Sequence, residues 1–240
     1  MTGTLPILIV GDVHGDLERL FQALKPYPAD QWQTLFVGDL VDYGMFGVGA
    51  LRFARDRPHT DVLLGNHEVA MLWALRDRER IGWWISLGGQ RHDLDELAGD
   101  EPLQTWIKQR PALLKLSDGT LVQHCGHDGY KRWIDPNSLD PIDSINNRVL
   151  QLLNEKCEDE VWDVLSAKNI FAEQPMRLQQ WLQATNCRRT VFGHTPHNSD
   201  RPATHHDGKA MNFDGAFSRR HKGHRRAPIS ASVAPLEPLS

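Results

Sequence analysis

With 240 residues, 40% of them apolar, the chain is long enough for one large domain with a buried core, and two domains are not required. A formal net charge of −4 provides no global basic field, which argues against nucleic acid as the main partner. Three cysteines spread about thirty residues apart, with no C-x-x-C pair, argue against a thiolate zinc site or a disulfide framework and fit a reducing cytoplasm.

The opening MTGTLPILIV has an apolar run too short to span a bilayer and no charged segment ahead of it, so it reads as a core strand and not as a leader or membrane anchor. Residues 5–10 (LPILIV), 34–37 (TLFV) and 61–64 (DVLL) are short apolar runs, each followed at once by a polar turn containing glycine, and predict buried strands. Between them, LERLFQAL at 17–24 and GVGALRFA at 47–54 repeat apolar residues at spacings of three and four, the signature of a helix face. Strand, turn and helix in alternation predict βαβ crossovers and a largely parallel sheet.

Further along, ALLKLSDGTLVQHCG predicts a hairpin turning at Asp118-Gly119, with strands near 112–117 and 120–124. Amphipathic helices follow at 142–153 and 174–185, then strands in RRTVFGH and GKAMNFDGAF. SRRHKGHRR at 218–226 is a dense basic run that reads as a solvated hairpin able to touch an anionic substrate. PISASVAPL at 228–236 alternates small and apolar residues, as a strand closing a sheet would, and PLEPLS predicts a frayed end. The expected organisation is one domain over 1–235 and a short tail over 236–240.

Asp12, Asp39 and Asn66 stand 27 residues apart in succession, about one βαβ period, so three polar residues leave three neighbouring strands at one edge. That edge, the carboxyl ends of the strands, is where open α/β sheets place ligands. The strand ends offer Asp12 and His14 in VGDVHGD, Asp39 in VGDLVD, Asn66 and His67 in LLGNHE, His124 in LVQHCG and His194 in VFGHTP. Any one of these alone reads as a helix cap or a satisfied turn. Five strand ends repeating the pattern point to metal ligation. Imidazole, carboxylate and amide donors without thiolate suit Mn²⁺, Fe or Zn²⁺ better than an all-oxygen calcium cage. Six donors exceed the needs of one catalytic ion, whereas two ions about 3.5–4 Å apart sharing a carboxylate would use them all. Such a pair suggests phosphoester hydrolysis, with water between the ions acidified to hydroxide and no Ser or Cys nucleophile required.

These motifs resemble those of the calcineurin-like metallophosphoesterases and, within them, the phosphoprotein-phosphatase branch of lambda-type and other small bacterial serine/threonine phosphatases. The matching residues are GDVHG (11–15), GDLVDYG (38–44), GNHE (65–68) and GHTP (193–196), and the resemblance runs from residue 11 to about 215. It implies a single-domain α/β/β/α sandwich with two mixed central sheets. It also implies two divalent ions, Mn²⁺ first with Fe or Zn²⁺ as alternatives. One would be held by Asp12, His14 and Asp39, the other by the bridging Asp39 with Asn66, His124 and His194. His67 would act as general acid toward the leaving alkoxide, an effect worth about 10² to 10⁴ in rate, and Asp42 would orient it.

The implied substrate is a phosphorylated protein or small phosphoester, with phosphoserine and phosphothreonine ranked first. Dinucleoside polyphosphate hydrolases share GDVHG and GNH but usually read GNHD, so Glu68 mildly favours the protein-phosphatase side. A non-catalytic binding domain is a third reading, and it predicts missing ligands where all six are present.

Tyr43 replaces the arginine of the branch motif, offering one neutral hydroxyl in place of a bidentate fork. It reads as a stacking platform for an aromatic or nucleoside group, or as plain packing. Arg148 stands about where lambda-type enzymes carry a second phosphate-binding arginine, and is otherwise an exposed helix residue. Asn66, Arg148 and Tyr43 are therefore the candidate substrate contacts. Lys131, Arg132, Arg219 and Arg220 are further cations with no motif behind them. His127 rivals His124 as a ligand, Pro196 stands where many relatives have histidine, and His197 is offset by one. Trp73, Trp106, Trp162, Trp181 and the GWW of 82–84 read as core or groove wall, His205 and His206 as turn residues, and Asp214 as structural support.

Overall fold

The computed structural model describes residues 5–218 and 227–239; Arg219, Arg220 and most of the basic run lie outside them. Strand β1 (Ile7–Val10), helix α1 (Leu17–Leu24), β2 (Gln33–Phe36), α2 (Gly47–Asp56) and β3 (Thr60–Val62) follow one another as expected, with β1 parallel to β2 and β2 to β3. The sheet is closed on its other side by β9 (Val233–Pro235), antiparallel to β1, where alternating small and apolar residues predicted a strand.

The second sheet begins with the hairpin of β4 (Leu113–Lys115) and β5 (Thr120–Gln123), turned at Gly119 with φ 85°. There Asp118 accepts the Thr120 amide at 2.9 Å. Strands β5, β6 (Arg189–Phe192) and β8 (Ala210–Asn212) are parallel, and β7 (Ala203–His205) adds an antiparallel edge. Helices α7 (Pro141–Asn154), α8 (Glu158–Leu165) and α9 (Pro175–Ala184) cover much of this half. Asp140 caps α7 ahead of Pro141, whose missing N–H costs nothing at a first helical position.

Because strand side chains alternate in direction, each sheet has two apolar faces. Ile9, Leu35, Val37 and Leu63 of the first sheet and its strand ends meet Leu116, Val122, Val191 and Phe213 of the second in a core between the sheets. On the opposite faces, Leu8, Val10, Phe36, Leu121 and Phe192 pack with the apolar sides of the helices. Burial of a large apolar side chain stabilises by about 1.5–3 kcal/mol, so this arrangement fixes which edges of the two sheets come together.

One expectation changes. Leu236 is buried between the sheets and its amide donates to Ile7 at 2.9 Å, while Leu239 donates to Asp118 at 3.3 Å. Residues 236–239 are thus anchored, not frayed. Residues 66–110 form α3 (Asn66–Arg76), α4 (Ile81–Ser86), α5 (Arg91–Ala98) and α6 (Glu101–Lys108). Asp93 of α5 accepts the Gly47 and Val48 amides at 3.1 and 2.9 Å, capping α2 from a distance. The tryptophans pack as expected: Trp73, Trp83 and Trp162 meet edge to face, and Trp181 is buried. Among the described residues, no helix is long and apolar enough to cross a membrane.

Candidate active site

Asp12 follows β1, Asp39 follows β2, Asn66 opens α3 after β3, His124 follows β5 and His194 follows β6. Both sheets turn the carboxyl ends of these strands toward one rim, and the six candidate ligands meet there. His124 Nε2 lies 3.4 Å from Asp39 Oδ2 and 2.8 Å from Asn66 Oδ1. His194 Nδ1 lies 3.0 Å from the same Asn66 oxygen, and its backbone amide donates to both Asp12 oxygens at 3.1 Å. His14 Nε2 is 4.0 Å from Asp39 Oδ2.

The ring orientations are informative. A carbonyl only accepts, so His14 Nδ1 donates to Val41 and His124 Nδ1 to Val37, each at 2.9 Å. That fixes the tautomer of the neutral rings and turns their Nε2 lone pairs toward Asp39, the usual arrangement of metal-ligating histidine. His124 Nε2, Asn66 Oδ1 and Asp39 Oδ2 then face one another, an arrangement that a shared cation relieves, either a proton on Nε2 or a metal ion in its place.

Charge tells the same story. Burial lifts the Asp12 carboxyl well above the usual range, with Asp214 and Asp39 adding to the shift. Burial pushes Asp214 up to about 7, and its Oδ2 has no hydrogen-bond partner among the described residues. Asp39 would also be lifted by burial, but His124, His67 and His14 outweigh it and hold the carboxyl well below its ordinary value. Burial pushes His194 down to about 3, keeping it a neutral donor. Burial alone would lower the His124 ring, but Asp39 beside it raises its pKa, so this pocket gathers positive charge around Asp39; buried, crowded carboxylates of this kind fit divalent cations. The groups Asp12/Asp39/His124 and His14/Asp39/His67 each bring their ligand atoms within 4.8 Å of one another.

The loops carrying these residues are sharply bent: φ is positive at His14 (48°), Asp39 (52°), Asp42 (69°), Tyr43 (56°) and His194 (71°). Glu68, read from sequence only as a family marker, holds two of the loops together. Its carboxylate accepts the amides of Gly65, Asp39, Leu40 and Val41 at 2.9, 2.9, 2.7 and 3.3 Å. At Gly65 any Cβ would collide with the Asp39 amide, so glycine is required by the close approach.

His67 stands at the start of α3, its amide donating to Asp39 Oδ1 at 3.0 Å and its Nδ1 lying 2.6 Å from Asp42 Oδ2. Its Nε2 is 4.0 Å from Asp39 Oδ2. Burial opposes a charge on this ring, yet Asp39 and Asp42 outweigh burial and push its pKa up to about 9. Burial lifts Asp42 to about 6 against the pull of His67. Tyr43 is half-buried, its ring edge-on to His14 at 4.8 Å and 5.5 Å from His67.

Other candidates go elsewhere. Arg148 pairs with Glu155 at 3.5 Å and lines a groove with Arg132, Trp133 and Gln151 that contains none of the clustered residues. Lys131 pairs with Asp128 at 3.0 Å. His127 has both nitrogens engaged: Nδ1 accepts the Gly129 amide at 2.7 Å and Nε2 donates to Val164 at 2.8 Å, which leaves no lone pair for an ion. His206 donates to Phe171 at 2.8 Å.

The calcineurin-like phosphoesterase family model matches residues 5–198. The chain is 32% identical over 126 residues to a symmetrical bis(5'-nucleosyl)-tetraphosphatase of Methylococcus capsulatus, covering 51% of this chain and 43% of that protein. It is 32% identical over 115 residues to serine/threonine-protein phosphatase 1 of Salmonella typhimurium, covering 46% and 52% respectively. The chain thus spans about half the length of the curated relatives it matches. The solved cold-active protein-tyrosine phosphatase of a psychrophilic Shewanella species shares the fold, with a TM-score of 0.66 and 19% identity over 98% of this chain and 81% of that one. From its sequence match and its two-sheet architecture, the chain belongs to the calcineurin-like phosphoesterase family.

Proposed function

We propose that this chain is a metal-dependent phosphoester hydrolase in which His67 protonates the departing oxygen. The observation that carries the reading is the 2.6 Å bond between His67 Nδ1 and Asp42 beside a rim of convergent Asp, Asn and His donors. Asp12, His14 and Asp39 would hold one divalent ion, and Asp39, Asn66, His124 and His194 a second, with Mn²⁺, Fe or Zn²⁺ suited to the set. When bound, such ions polarise the phosphoryl group and acidify water. The remaining work belongs to the chain: Val41 and Val37 carbonyls aim the His14 and His124 rings, and Asp42 takes the Nδ1 proton of His67 as a hydrogen bond. His67 Nε2–H is then free to pass its proton to the leaving oxygen as the ester P–O bond breaks and the P–O bond to water forms.

Phosphoserine or phosphothreonine in a protein is the first substrate reading, in keeping with the Salmonella relative. A dinucleoside polyphosphate is the second, favoured by two observations. The Methylococcus relative is named for a nucleotide substrate, and Glu68 engages backbone amides, so the preference drawn from it has no substrate contact behind it. Purified protein supplied with Mn²⁺, Fe²⁺ or Zn²⁺ is to be assayed on a phosphopeptide panel beside dinucleoside polyphosphates. Turnover of phosphopeptides supports the first reading, turnover of only the dinucleotides establishes the second, and no hydrolysis of any phosphoester with any of these metals refutes both.

A further inference from the structure

The GWW stretch at 82–84 reads from sequence as core or groove wall, and Trp84 is fully buried. Its indole is also a donor. Nε1 lies 3.1 Å from Asp42 Oδ1 and 3.2 Å from Asp42 Oδ2, so one N–H is shared between the two oxygens of the carboxylate that binds His67. Among the described residues, His67 and Trp84 are the side chains that hydrogen-bond this carboxylate. An indole nitrogen donates and never accepts, so the contact has a single sense.

The surroundings leave neither partner free to turn. Asp42 is in the left-handed region, outside any strand or helix, so regular backbone does not set the direction of its side chain. Trp84 is wedged in turn by Gly89, where any Cβ would overlap the indole ring. The adjacent Gly88 carbonyl accepts the Tyr43 amide at 2.8 Å. One turn after α4 therefore holds both the indole and the residue that follows Asp42.

We propose that Trp84 is a positioning residue for the proton-donating dyad: its indole N–H fixes the Asp42 carboxylate so that His67 keeps Nδ1–H on Asp42 and Nε2–H toward the leaving group. This inference rests on the reading of His67 as general acid. A packing role alone predicts that loss of the N–H harms every substrate equally. A positioning role predicts harm that grows with the basicity of the leaving oxygen, because only a basic alkoxide or phenoxide needs the proton.

The test compares metal-loaded wild type, Trp84→Phe and His67→Ala on phenyl phosphate and 2,4-dinitrophenyl phosphate, with metal content measured for each. Loss of one hydrogen bond to a charged group predicts that Trp84→Phe lowers kcat on phenyl phosphate about tenfold or more, with KM little changed. On dinitrophenyl phosphate its kcat stays within about twofold, since a good leaving group gains little from an acid. His67→Ala shows the same contrast, larger. If Trp84→Phe loses activity equally on both esters, or on neither, while His67→Ala shows the contrast, Trp84 only packs and the positioning role is wrong. If His67→Ala shows no contrast, the acid reading fails and this inference with it. Should Trp84→Phe not fold, benzothienylalanine at position 84 keeps the indole shape with sulfur in place of N–H, and the same comparison decides.

Discussion

Glu68 and Asp39 are joined through the main chain: Glu68 Oε2 accepts the Asp39 amide at 2.9 Å and the Gly65 amide at the same distance, while Oε1 takes those of Leu40 and Val41. The loop carrying Asp39 and the loop carrying Asn66 and His67 thus share one anchor. In Glu68→Gln one acceptor oxygen becomes an NH₂ that faces backbone donors. Unfolding should become easier by about 2–4 kcal/mol, since buried donors are left unpaired. For a chain of this size the melting temperature should fall by roughly 5–15 °C, to be read by thermal unfolding. An unchanged melting temperature would show that water or backbone movement replaces the clip.

The crowding of Asp12, Asp39 and Asp214 makes a metal prediction that needs no turnover. Divalent ion at about a hundredfold above its dissociation constant should stabilise wild type by about 2.7 kcal/mol, and chelator should reverse this. The shift should be roughly 5–10 °C in melting temperature. Asp39→Asn, which removes the shared carboxylate, should show little or no shift. Equal stabilisation of both proteins would place the ion elsewhere.

Tyr43 stands beside His14 and His67 and takes the place of the arginine in the motif that it resembles. Tyr43→Arg is expected to lower KM for phosphomonoesters by roughly tenfold, the value of one added charge-assisted hydrogen bond, with a smaller effect on kcat. Steady-state kinetics on one phosphopeptide suffices. Identical Michaelis parameters would mean that phosphate is held from another direction.

Arg148→Ala should leave kcat/KM within about twofold and stability within about 0.5 kcal/mol, as for a surface ion pair on a helix. Its pairing with Glu155 gives it no contact with the donor rim. A larger loss of affinity for substrate would mean that the groove it shares with Arg132 and Trp133 takes part in binding.

The sheets and the donor rim were legible because their signals are local: an apolar run, a glycine, then a polar residue, repeated at strand ends. Strand β9 was legible for the same reason. Helix α3 was not, since nearly every residue of NHEVAMLWALR is buried and no polar stripe marks its outer face. Leu236 looked like part of a terminus because only the completed sandwich supplies a place for it between the sheets. The partner of Trp84 lies 42 residues away and the Glu68 partners in the Asp39 loop 27 to 29 residues away, and periodicity carries no trace of which carboxylate or amide a side chain will meet. For Arg148 the sequence leaves two readings, a phosphate contact or an exposed helix residue, and its pairing with Glu155 supports the second. Motif spacing placed it at about the right point along the chain, but the turn of α7 decides where its guanidinium goes.

The left-handed backbone at His14, Asp39, Asp42, Tyr43 and His194 has a consequence for how this protein can change. Glycine or asparagine would ease each of these bends, but glycine at Asp39, Asp42 or His14 would also strip a buried bond to the His67 amide, the His67 ring or the Val41 carbonyl. Backbone ease and side-chain bonding thus pull these positions in opposite directions, and the rim keeps its side chains in place at the expense of its main chain.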